Sequence, residues 1–533
     1  MAKNQWKNLM QGAVVLTLAA FITKLLSAVY RVPFQNLVGD EGFYVYQQIY
    51  PIYGIAMTLA MSGLPQFISK LVAEKKQPKE QEALLAETFP LVAWLSLLLW
   101  AVTFFFSSPI AKMMGNSQLK PLLQVVSFTF LLVPPLSFYR GNFQGNFLMA
   151  PTAISQVVEQ FIRVGVILGA AVYFKYSTLS IYGVGMLAMA GAVIGGFFAC
   201  LVLFHYDRRI YGGRHRYRQL NNPLLLNKSI RQRLLIEGGL LTIYSGLLIL
   251  FQLVDSFLVV NSLHAAGTSL IESRLAKGVF DRGQPLVQLG LVVATSMTAS
   301  FLPGLTQAFV EKNKKNFIAS AKLYLRFSTA IAFAATGGLA VLLPLINFAL
   351  FKDRAGLVPL TLFVLSIAIM AVIQAYQSIA QSQNRLKSSL RAAGLGIIIK
   401  IGTTGILTRM CGTVGTSIST LVGLMTVLIF LVKQEDSEIN HYWRQNHFGI
   451  KLLFCTGTMV FVVVAMVTLI KMMLPFEIQR ITAFVLSLFG VAVGAITFIV
   501  MAIRTQLLTI REWLLIPMGN KILRFKIKNR KEI

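Results

Sequence analysis

The sequence contains few charged residues, although it is long. Asp, Glu, Lys and Arg make up 13% of its 533 residues, whereas 56% are hydrophobic and the mean hydropathy is +0.67. Soluble domains carry about a quarter charged residues, because water must solvate most of their surface. The composition therefore excludes an ordinary soluble enzyme and predicts an all-α polytopic membrane protein.

Acidic residues are particularly scarce. The chain has 20 Asp and Glu against 49 Lys and Arg, which gives a formal net charge of +29. In a soluble protein this excess would indicate nucleic-acid binding. In a membrane protein, Lys and Arg collect in cytoplasmic loops, so we interpret the excess as a signal of topology and expect no nucleic-acid partner.

The sequence also lacks the patterns of common catalytic and metal sites. Its three cysteines, Cys200, Cys411 and Cys455, show no CxxC spacing, and its five histidines have no acidic partners at ligand spacing. These features disfavour a disulfide framework and a metal site. No GxxxxGK[ST] phosphate loop occurs. We therefore expect neither an enzyme nor a cofactor, and any transport would draw on ions, voltage or the substrate's own gradient.

Long apolar runs dominate the sequence instead. A helix needs about 20 mostly apolar residues to cross the hydrocarbon core. Marking such runs between breaks rich in charge, Gly or Pro predicts about 14 transmembrane helices. Their approximate bounds are 12–34, 43–69, 84–106, 121–139, 151–174, 180–204, 234–262, 285–309, 319–347, 357–380, 392–409, 415–432, 452–474 and 481–503.

The distribution of basic residues orients these helices. Most Lys and Arg fall in the two termini and in alternate loops, which predicts a cell-membrane protein with both termini in the cytoplasm. The densest basic segments are 205–233 and 504–533. Both would attract anionic membrane lipids, by roughly 1 kcal/mol for each basic residue near the surface.

The chain resembles itself at an offset of 237 to 238 residues. The matching positions are Pro65 with Pro303, Pro121 with Pro359, Tyr139 with Tyr376, Gln144 with Gln381 and Arg163 with Lys400. This offset spans six predicted helices, an even number, so the two copies would share one orientation and be related by an axis along the membrane normal.

The repeat predicts the domain organisation. The predicted parts are an N-terminal lobe of six helices (1–204), a basic cytoplasmic linker (205–233), a C-terminal lobe of six helices (234–432), two additional helices (433–503) and a basic cytoplasmic tail (504–533). Two such lobes would enclose a central cleft. Transporters built from repeats bind their substrates at the repeat interface near the membrane midplane, so transport is the function that we expect.

Charged residues inside the predicted spans indicate the substrate. They are Lys24, Arg31, Glu159, Arg163, Glu237, Asp255, Arg326 and Lys400. Exposure to lipid costs about 2.5–3.5 kcal/mol for each charge at a helix centre, so these side chains must face protein or water. Their surplus of positive charge favours an anionic headgroup. We take six of them as candidate cavity residues: Lys24, Arg31, Glu159, Arg163, Asp255 and Lys400.

Simpler interpretations remain open for several of these residues. Lys24 and Arg31 are two helical turns apart and share one face, but both could reach the membrane interfaces by snorkelling. Glu159 and Arg163 are spaced i, i+4 and could neutralise each other. Arg326, one turn inside its span, could also snorkel.

A row of tyrosines marks the second predicted span. Tyr46, Tyr50 and Tyr53 lie at i, i+4 and i+7, beside Gln47 and Gln48. Aromatic and amide groups suit the faces of a sugar. Tyrosines near a membrane boundary also form interfacial belts, so the row supports two interpretations.

Two motifs resemble those of a known family. The segments Tyr30–Phe34 and Gly39–Tyr44 resemble the signature between the first two helices of polysaccharide-biosynthesis membrane proteins. Gly141–Asn146 and Met149–Arg163 resemble their motif between the fourth and fifth helices. Together with length and repeat, they make the chain similar to the stage V sporulation protein B-like family. This family belongs to the multidrug/oligosaccharidyl-lipid/polysaccharide (MOP) exporter superfamily and is akin to the lipid II flippase.

The resemblance implies a flippase. Such a protein would move an undecaprenyl-pyrophosphate-linked sugar, a cell-wall or polysaccharide precursor, from the inner to the outer leaflet by alternating access. It also implies that Arg31 is a cavity cation, that Glu159 and Arg163 are motif positions, and that Gly39 and Gly42 shape a loop. Cell-wall synthesis proteins would be its protein partners.

Two alternatives belong to other functional classes. A cation-coupled multidrug antiporter of the same superfamily would use Asp255 or Glu237 as its proton or sodium site. A non-transporting membrane scaffold would tolerate the loss of the cavity charges. An acidic cleft without a lateral opening to lipid would favour the antiporter.

Overall fold

A computed structural model describes residues 16, 18–75, 77–212, 228–473 and 479–509. Within these ranges every regular element is a helix, which confirms the all-α prediction. Eleven of the described segments are long and apolar enough to cross a membrane, as expected of a multi-pass protein. The helices are α1 (18–29), α2 (Arg31–Thr58), α3 (Leu64–Ala73), α4 (Pro78–Phe105), α5 (Ser107–Met113), α6 (Lys120–Gly145), α7 (Met149–Tyr176), α8 (Ile181–Tyr211), α9 (Lys228–Arg233), α10 (Gly239–Ser245), α11 (Leu247–Ala265), α12 (Leu270–Asp281), α13 (Gly283–Val310), α14 (Lys314–Phe351), α15 (Leu357–Val364), α16 (Ser366–Ser382), α17 (Leu386–Gln434), α18 (Ser437–Asn440), α19 (Phe448–Met473) and α20 (Arg480–Arg504).

The first of these eleven segments, Leu18–Ala73, contains a reversal of the chain. Tyr30 and Tyr46 are 16 residues apart, yet their hydroxyls lie 2.7 Å from each other. A straight helix would separate them by about 24 Å along its axis. The chain turns at Gly39, whose φ of 74° is accessible to glycine at little cost. This turn lies between the first and second predicted spans.

Helix α17 is likewise a hairpin of two helices. Cys411 and Gly412 have non-helical backbone angles. Lys400 precedes this break and Thr420 follows it, yet the Lys400 ammonium donates to the hydroxyl of Thr420 at 2.8 Å. The two arms approach so closely that a Cβ added to Gly415 would lie 1.9 Å from the carbonyl oxygen of Leu407. The break separates the predicted spans 392–409 and 415–432.

The chain forms two compact units. The first contains the described parts of 1–292, 358–363 and 385–427, and the second those of 293–357, 364–384 and 428–533. A large apolar core joins α2, α3, α4, α6, α7 and α8 in the first unit, and a smaller one joins α14, α19 and α20 in the second. The predicted lobes remain predictions, and positions 213–227 of the linker and 510–533 of the tail lie outside the described residues.

Small residues let α8 lie directly against α7. Gly191 and Gly195 form a GxxxG pattern, which brings helix backbones close together in membranes. A Cβ added to Gly191 would be 3.0 Å from the carbonyl oxygen of Arg163, and one added to Gly195 would be 2.6 Å from that of Glu159. The glycines therefore fix α8 against the turns of α7 that carry two of the candidate cavity residues.

Helix α12 lies between the seventh and eighth predicted spans, where the sequence predicts no span. Ser269 caps its first turn, and Glu272 completes a capping box by accepting hydrogen bonds from the hydroxyl and backbone N–H of Ser269. These hydrogen bonds lower the pKa of the exposed Glu272 carboxyl.

Candidate functional site: an arginine–tyrosine cluster

Arg31 occupies the first position of α2 and is completely buried. Its Nη1 donates to the side-chain oxygen of Gln288 at 3.1 Å. The guanidinium carbon lies 4.3 Å from the ring centre of Tyr50. Its Nε and Nη2 atoms have no hydrogen-bond partner among the described residues. Only some of the N–H donors of this buried guanidinium are hydrogen-bonded, so it retains donors for a ligand.

Arg163 on α7 is in a similar position. It is 1% exposed, and its Nη2 donates to the hydroxyl of Tyr30 at 3.1 Å. The guanidinium carbon is 4.5 Å from the ring centre of Tyr53 and 5.3 Å from that of Tyr30. In the part of the chain that the structure describes, its Nε and Nη1 atoms also lack hydrogen-bond partners. Arg31 and Arg163 therefore flank the ring of Tyr30, which lies 6.0 Å from the Arg31 guanidinium carbon.

The tyrosines of α2 connect the two arginines. The ring centres of Tyr46 and Tyr50 are 6.2 Å apart, and those of Tyr50 and Tyr53 are 5.7 Å apart. All three are at most 3% exposed. An interfacial belt would face the lipid headgroups, so this burial does not fit that interpretation. We call the six residues Tyr30, Arg31, Tyr46, Tyr50, Tyr53 and Arg163 the arginine–tyrosine cluster.

The cluster carries positive charge without a carboxylate partner. Among the described residues, no Asp or Glu oxygen lies within 4.0 Å of a nitrogen of Arg31 or Arg163. Aromatic faces attract the cations, but they cannot replace the hydrogen bonds that water would supply. Two buried cations with open donors form a site suited to an anion.

Glu159 does not neutralise Arg163, although their spacing allowed it. Its carboxylate accepts a hydrogen bond from Nη2 of Arg140 at 2.7 Å. Arg140 also donates to the hydroxyl of Ser155 and to the carbonyl of Ala60, both at 3.1 Å. Arg140 is not among the predicted cavity residues because the predicted fourth span ends at residue 139, whereas α6 continues to Gly145.

Lys400 and Asp255 pair with each other. Nζ of Lys400 lies 2.6 Å from Oδ1 of Asp255, and the two side chains are 0% and 2% exposed. Lys400 is the predicted repeat counterpart of Arg163, but it forms an ion pair with a carboxylate. The two candidate cations therefore differ: Arg163 keeps donors for an anion, whereas Lys400 is paired.

The remaining charges of the predicted spans lie elsewhere. Lys24 is exposed on α1, whereas Arg31 is buried, so the shared face that the spacing predicted does not give them a common environment. Glu237 forms ion pairs with Lys70 at 2.8 Å and with Arg233 at 3.1 Å. Arg326 is buried in the second unit, where its Nη2 donates to the carbonyl of Leu507, so it does not snorkel.

The segment at α12 supplies further buried charges that the sequence analysis missed. Arg282 forms a bidentate pair with Asp40, with oxygens at 2.7 and 2.6 Å from Nη2. Lys277 pairs with Asp281 one turn along α12. Two local signals, the S-x-x-E capping box at Ser269 and the i, i+4 Lys–Asp spacing, could have revealed this helix.

The two candidate loop glycines differ in their geometry. Gly39 adopts a positive φ at the chain reversal and precedes Asp40, the partner of Arg282. Gly42 lies in the part of α2 that follows this turn, and a Cβ added to it would come within 2.8 Å of the Val38 side chain. Gly39 thus permits the turn. Gly42 lets the two arms of that turn approach each other closely.

Comparison with known proteins identifies the family. Residues 9–309 match the model of the polysaccharide biosynthesis protein family. The chain is 33% identical over 528 residues to the Bacillus subtilis membrane protein YabM, covering 98% of this chain and 97% of that protein. It is 25% identical to the lipid II flippase MurJ of the same organism, with 79% and 81% of the two chains covered. Stage V sporulation protein B of Bacillus subtilis is 23% identical, with coverage of 79% and 82%.

Solved structures show the same fold. The lipid II flippase MurJ in an inward closed conformation superposes with a TM-score of 0.67 and 14% identity, covering 92% of this chain and 99% of MurJ. An inward-facing multidrug resistance transporter of the MATE family gives a TM-score of 0.61 at 14% identity, with coverage of 79% and 96%. These matches confirm the resemblance that the motifs indicated. The chain belongs to the polysaccharide biosynthesis protein family and is a multi-pass membrane protein with the fold of MOP-superfamily transporters.

Proposed function

We propose that the protein is a flippase for an anionic lipid-linked sugar pyrophosphate, which it moves from the inner to the outer leaflet by alternating access. The observation that carries this proposal is the arginine–tyrosine cluster, in which two buried guanidiniums keep open donors and have no carboxylate partner within the described chain. The relationship to a lipid II flippase supports the same substrate class.

A pyrophosphate suits this cluster chemically. Its oxygens accept hydrogen bonds in the planar, forked geometry that guanidinium groups present. Low-polarity surroundings strengthen the attraction, because little water competes for the charges. The rings of Tyr46, Tyr50 and Tyr53 supply an aromatic surface of the kind that sugar faces contact. The polyprenyl chain would remain in the hydrocarbon region throughout.

The membrane potential favours the proposed direction of movement. An inside-negative potential drives an anion outward by about 2.3 kcal/mol per charge for each 100 mV. The same potential would draw the emptied, basic cluster back towards the cytoplasm. In this proposal the protein resides in the cell membrane with both termini cytoplasmic, and anionic lipids contact its basic segments.

The acidic residues support the flippase over the cation-coupled antiporter. The antiporter mechanism needs Asp255 or Glu237 to accept a proton or sodium ion. Asp255 forms an ion pair with Lys400, and Glu237 forms ion pairs with Lys70 and Arg233. The non-transporting scaffold makes a different prediction, because it would tolerate neutralisation of Arg31 without consequence.

Transport in reconstituted vesicles tests the proposal. We expect Arg31→Ala to reduce the transfer of undecaprenyl-pyrophosphate-linked sugar between leaflets by at least about 10-fold, since each hydrogen bond to a charged group contributes roughly 1.5–3 kcal/mol. Arg31→Lys should retain part of the activity, because it keeps the charge but loses the fork. Labelled lipid exposed to an impermeant reagent reports the leaflet.

Arg208→Ala is the matched control. It removes the same charge from an exposed position on α8 and should flip lipid at the wild-type rate. Full activity of Arg31→Ala, in a preparation that is as well folded as the wild type, would contradict the proposal.

A further inference from the structure

The hydrogen bond from Arg31 to Gln288 joins a buried charge to a partly exposed side chain. Arg31 is completely buried, whereas Gln288, in the second turn of α13, is only partly covered. The side-chain oxygen of Gln288 accepts the hydrogen bond, and its amide nitrogen has no hydrogen-bond partner among the described residues. Gln288 is therefore the accessible side of this contact, and its amide keeps two N–H donors free.

Gln284, one turn earlier on the same helix, is held differently. It is 4% exposed, and its side-chain oxygen accepts a hydrogen bond from the amide of Gln252 on α11. Within the described part of the chain, this pair forms no hydrogen bond with Arg31. The two glutamines of α13 thus have the same side chain on one helix face, but only Gln288 contacts the arginine–tyrosine cluster.

A neutral partner leaves the charge of Arg31 available to a ligand. A carboxylate at position 288 would neutralise the guanidinium, as Glu159 does for Arg140. An apolar side chain there would leave one more buried donor without a partner, which is costly. Glutamine satisfies that donor and adds no charge. Because hydrogen bonds between a guanidinium and a phosphate are stronger than those to a neutral amide, a phosphate oxygen can displace the amide oxygen from Arg31.

We propose that Gln288 makes the site prefer a lipid-linked sugar over the bare lipid pyrophosphate, an inference that rests on the proposed function. A phosphate oxygen takes the place of the Gln288 oxygen at Arg31, and the released amide binds hydroxyl groups of the first sugar. That sugar is bonded directly to the pyrophosphate. The ring of Tyr50, 4.3 Å from the guanidinium carbon, supplies an aromatic surface beside it. A pyrophosphate without a sugar breaks the same hydrogen bond but gains none from the amide.

Binding of two lipids to the purified full-length protein tests this role. The probes are undecaprenyl pyrophosphate and the same lipid carrying one N-acetylglucosamine. We expect Gln288→Met, which keeps the side-chain length without the amide, to bind the bare pyrophosphate about 3- to 10-fold more tightly, because no hydrogen bond has to be broken. The affinity for the sugar lipid should change by less than about 3-fold, since loss of the sugar contact offsets that gain. The preference of the wild type for the sugar lipid should therefore decrease.

Two further variants make the test specific. Gln284→Met removes the amide one turn away and should change both affinities by the same factor, because Gln284 does not contact Arg31. Gln288→Glu should weaken the binding of both lipids by at least about 10-fold, since its carboxylate would pair with Arg31 and repel the pyrophosphate.

The outcomes separate this inference from the proposed function. Parallel changes in the two affinities of Gln288→Met would show that Gln288 is only a structural partner of Arg31 and would overturn the inference alone. Equal binding of the two lipids by the wild type, or wild-type affinities in Gln288→Glu, would also overturn it. A wild-type protein that binds neither lipid would refute the proposed function and the inference with it.

Discussion

Buried arginines in this protein are of two kinds. Arg140 is matched by Glu159 and by two further oxygens, whereas Arg31 and Arg163 are surrounded by tyrosine rings and have no carboxylate partner among the described residues. A matched arginine depends on its partner, because removal of the partner leaves an uncompensated buried charge and destabilises the fold. An unmatched one reduces stability and is retained where a ligand supplies the missing charge. This difference in pairing separates structural charges from candidate binding charges.

Substitutions at matched and unmatched arginines should have opposite effects on the stability of the protein. We expect Glu159→Gln to lower the free energy of unfolding by about 3–5 kcal/mol, because it leaves Arg140 as a buried charge without its partner. Arg31→Gln should leave stability unchanged or raise it, since it removes a charge that is already unmatched. Thermal unfolding of the purified variants measures both effects. A Glu159→Gln protein that unfolds at the wild-type temperature would show that the ion pair has no structural role.

At the scale of helices, glycines decide how closely the elements that carry the site can approach. Gly39 lets the chain reverse so that Tyr30 and Tyr46 meet, and the glycines of α8 bring its backbone to that of α7 next to Arg163. The tyrosine row then faces Arg163 from α2. Local backbone geometry thus determines whether the arginine–tyrosine cluster can assemble.

Gly195→Val tests this dependence. Even the first carbon of the new side chain would lie 2.6 Å from the carbonyl oxygen of Glu159, so α8 must move away from α7. Overpacking of this kind costs about 1–3 kcal/mol, and we expect both the unfolding temperature and lipid transfer to fall. Gly165→Val on α7 is the control, because its Cβ would meet no atom within 4 Å. Equal effects of the two substitutions would refute the packing argument.

At the scale of the whole molecule, the proposed direction of transport depends on which side of the membrane each loop faces. The positive-inside rule predicts that both termini lie in the cytoplasm and that the tip of the α17 hairpin lies outside. That tip contains Cys411, which is exposed, whereas Cys455 is buried and Cys200 is intermediate. The protein therefore carries a native probe of its orientation.

Labelling of intact cells uses this probe. We expect a membrane-impermeant maleimide to modify the wild-type protein from outside, and Cys411→Ala to abolish the modification. A cysteine introduced in place of Arg209, at the predicted cytoplasmic end of α8, should react only after the membrane is permeabilised. Labelling of Cys411 that also requires permeabilisation would reverse the orientation and with it the proposed direction of movement.

Much of the fold follows from local features of the sequence. Apolar runs of sufficient length must cross the membrane as helices, because an unpaired backbone group in hydrocarbon is too costly. Breaks at glycine separated the first predicted span from the second and the eleventh from the twelfth, where the structure has reversals at Gly39 and at Cys411–Gly412. Helix α12 is not predicted from apolar runs because its mixed composition resembles a loop.

Local features of the sequence predict only part of the candidate site. From the residues alone, charges such as Arg31, Arg163, Asp255 and Lys400 are expected to avoid lipid, because a charged side chain is costly in hydrocarbon whatever its partners are. Which charges are paired became evident only from the folded chain, since the partners come from distant parts of the sequence: Tyr30 and Arg163 are 133 residues apart, and Asp40 and Arg282 are 242 apart. An electrostatic interaction depends on the distance in space between two groups, and for these pairs the packing of the helices sets that distance.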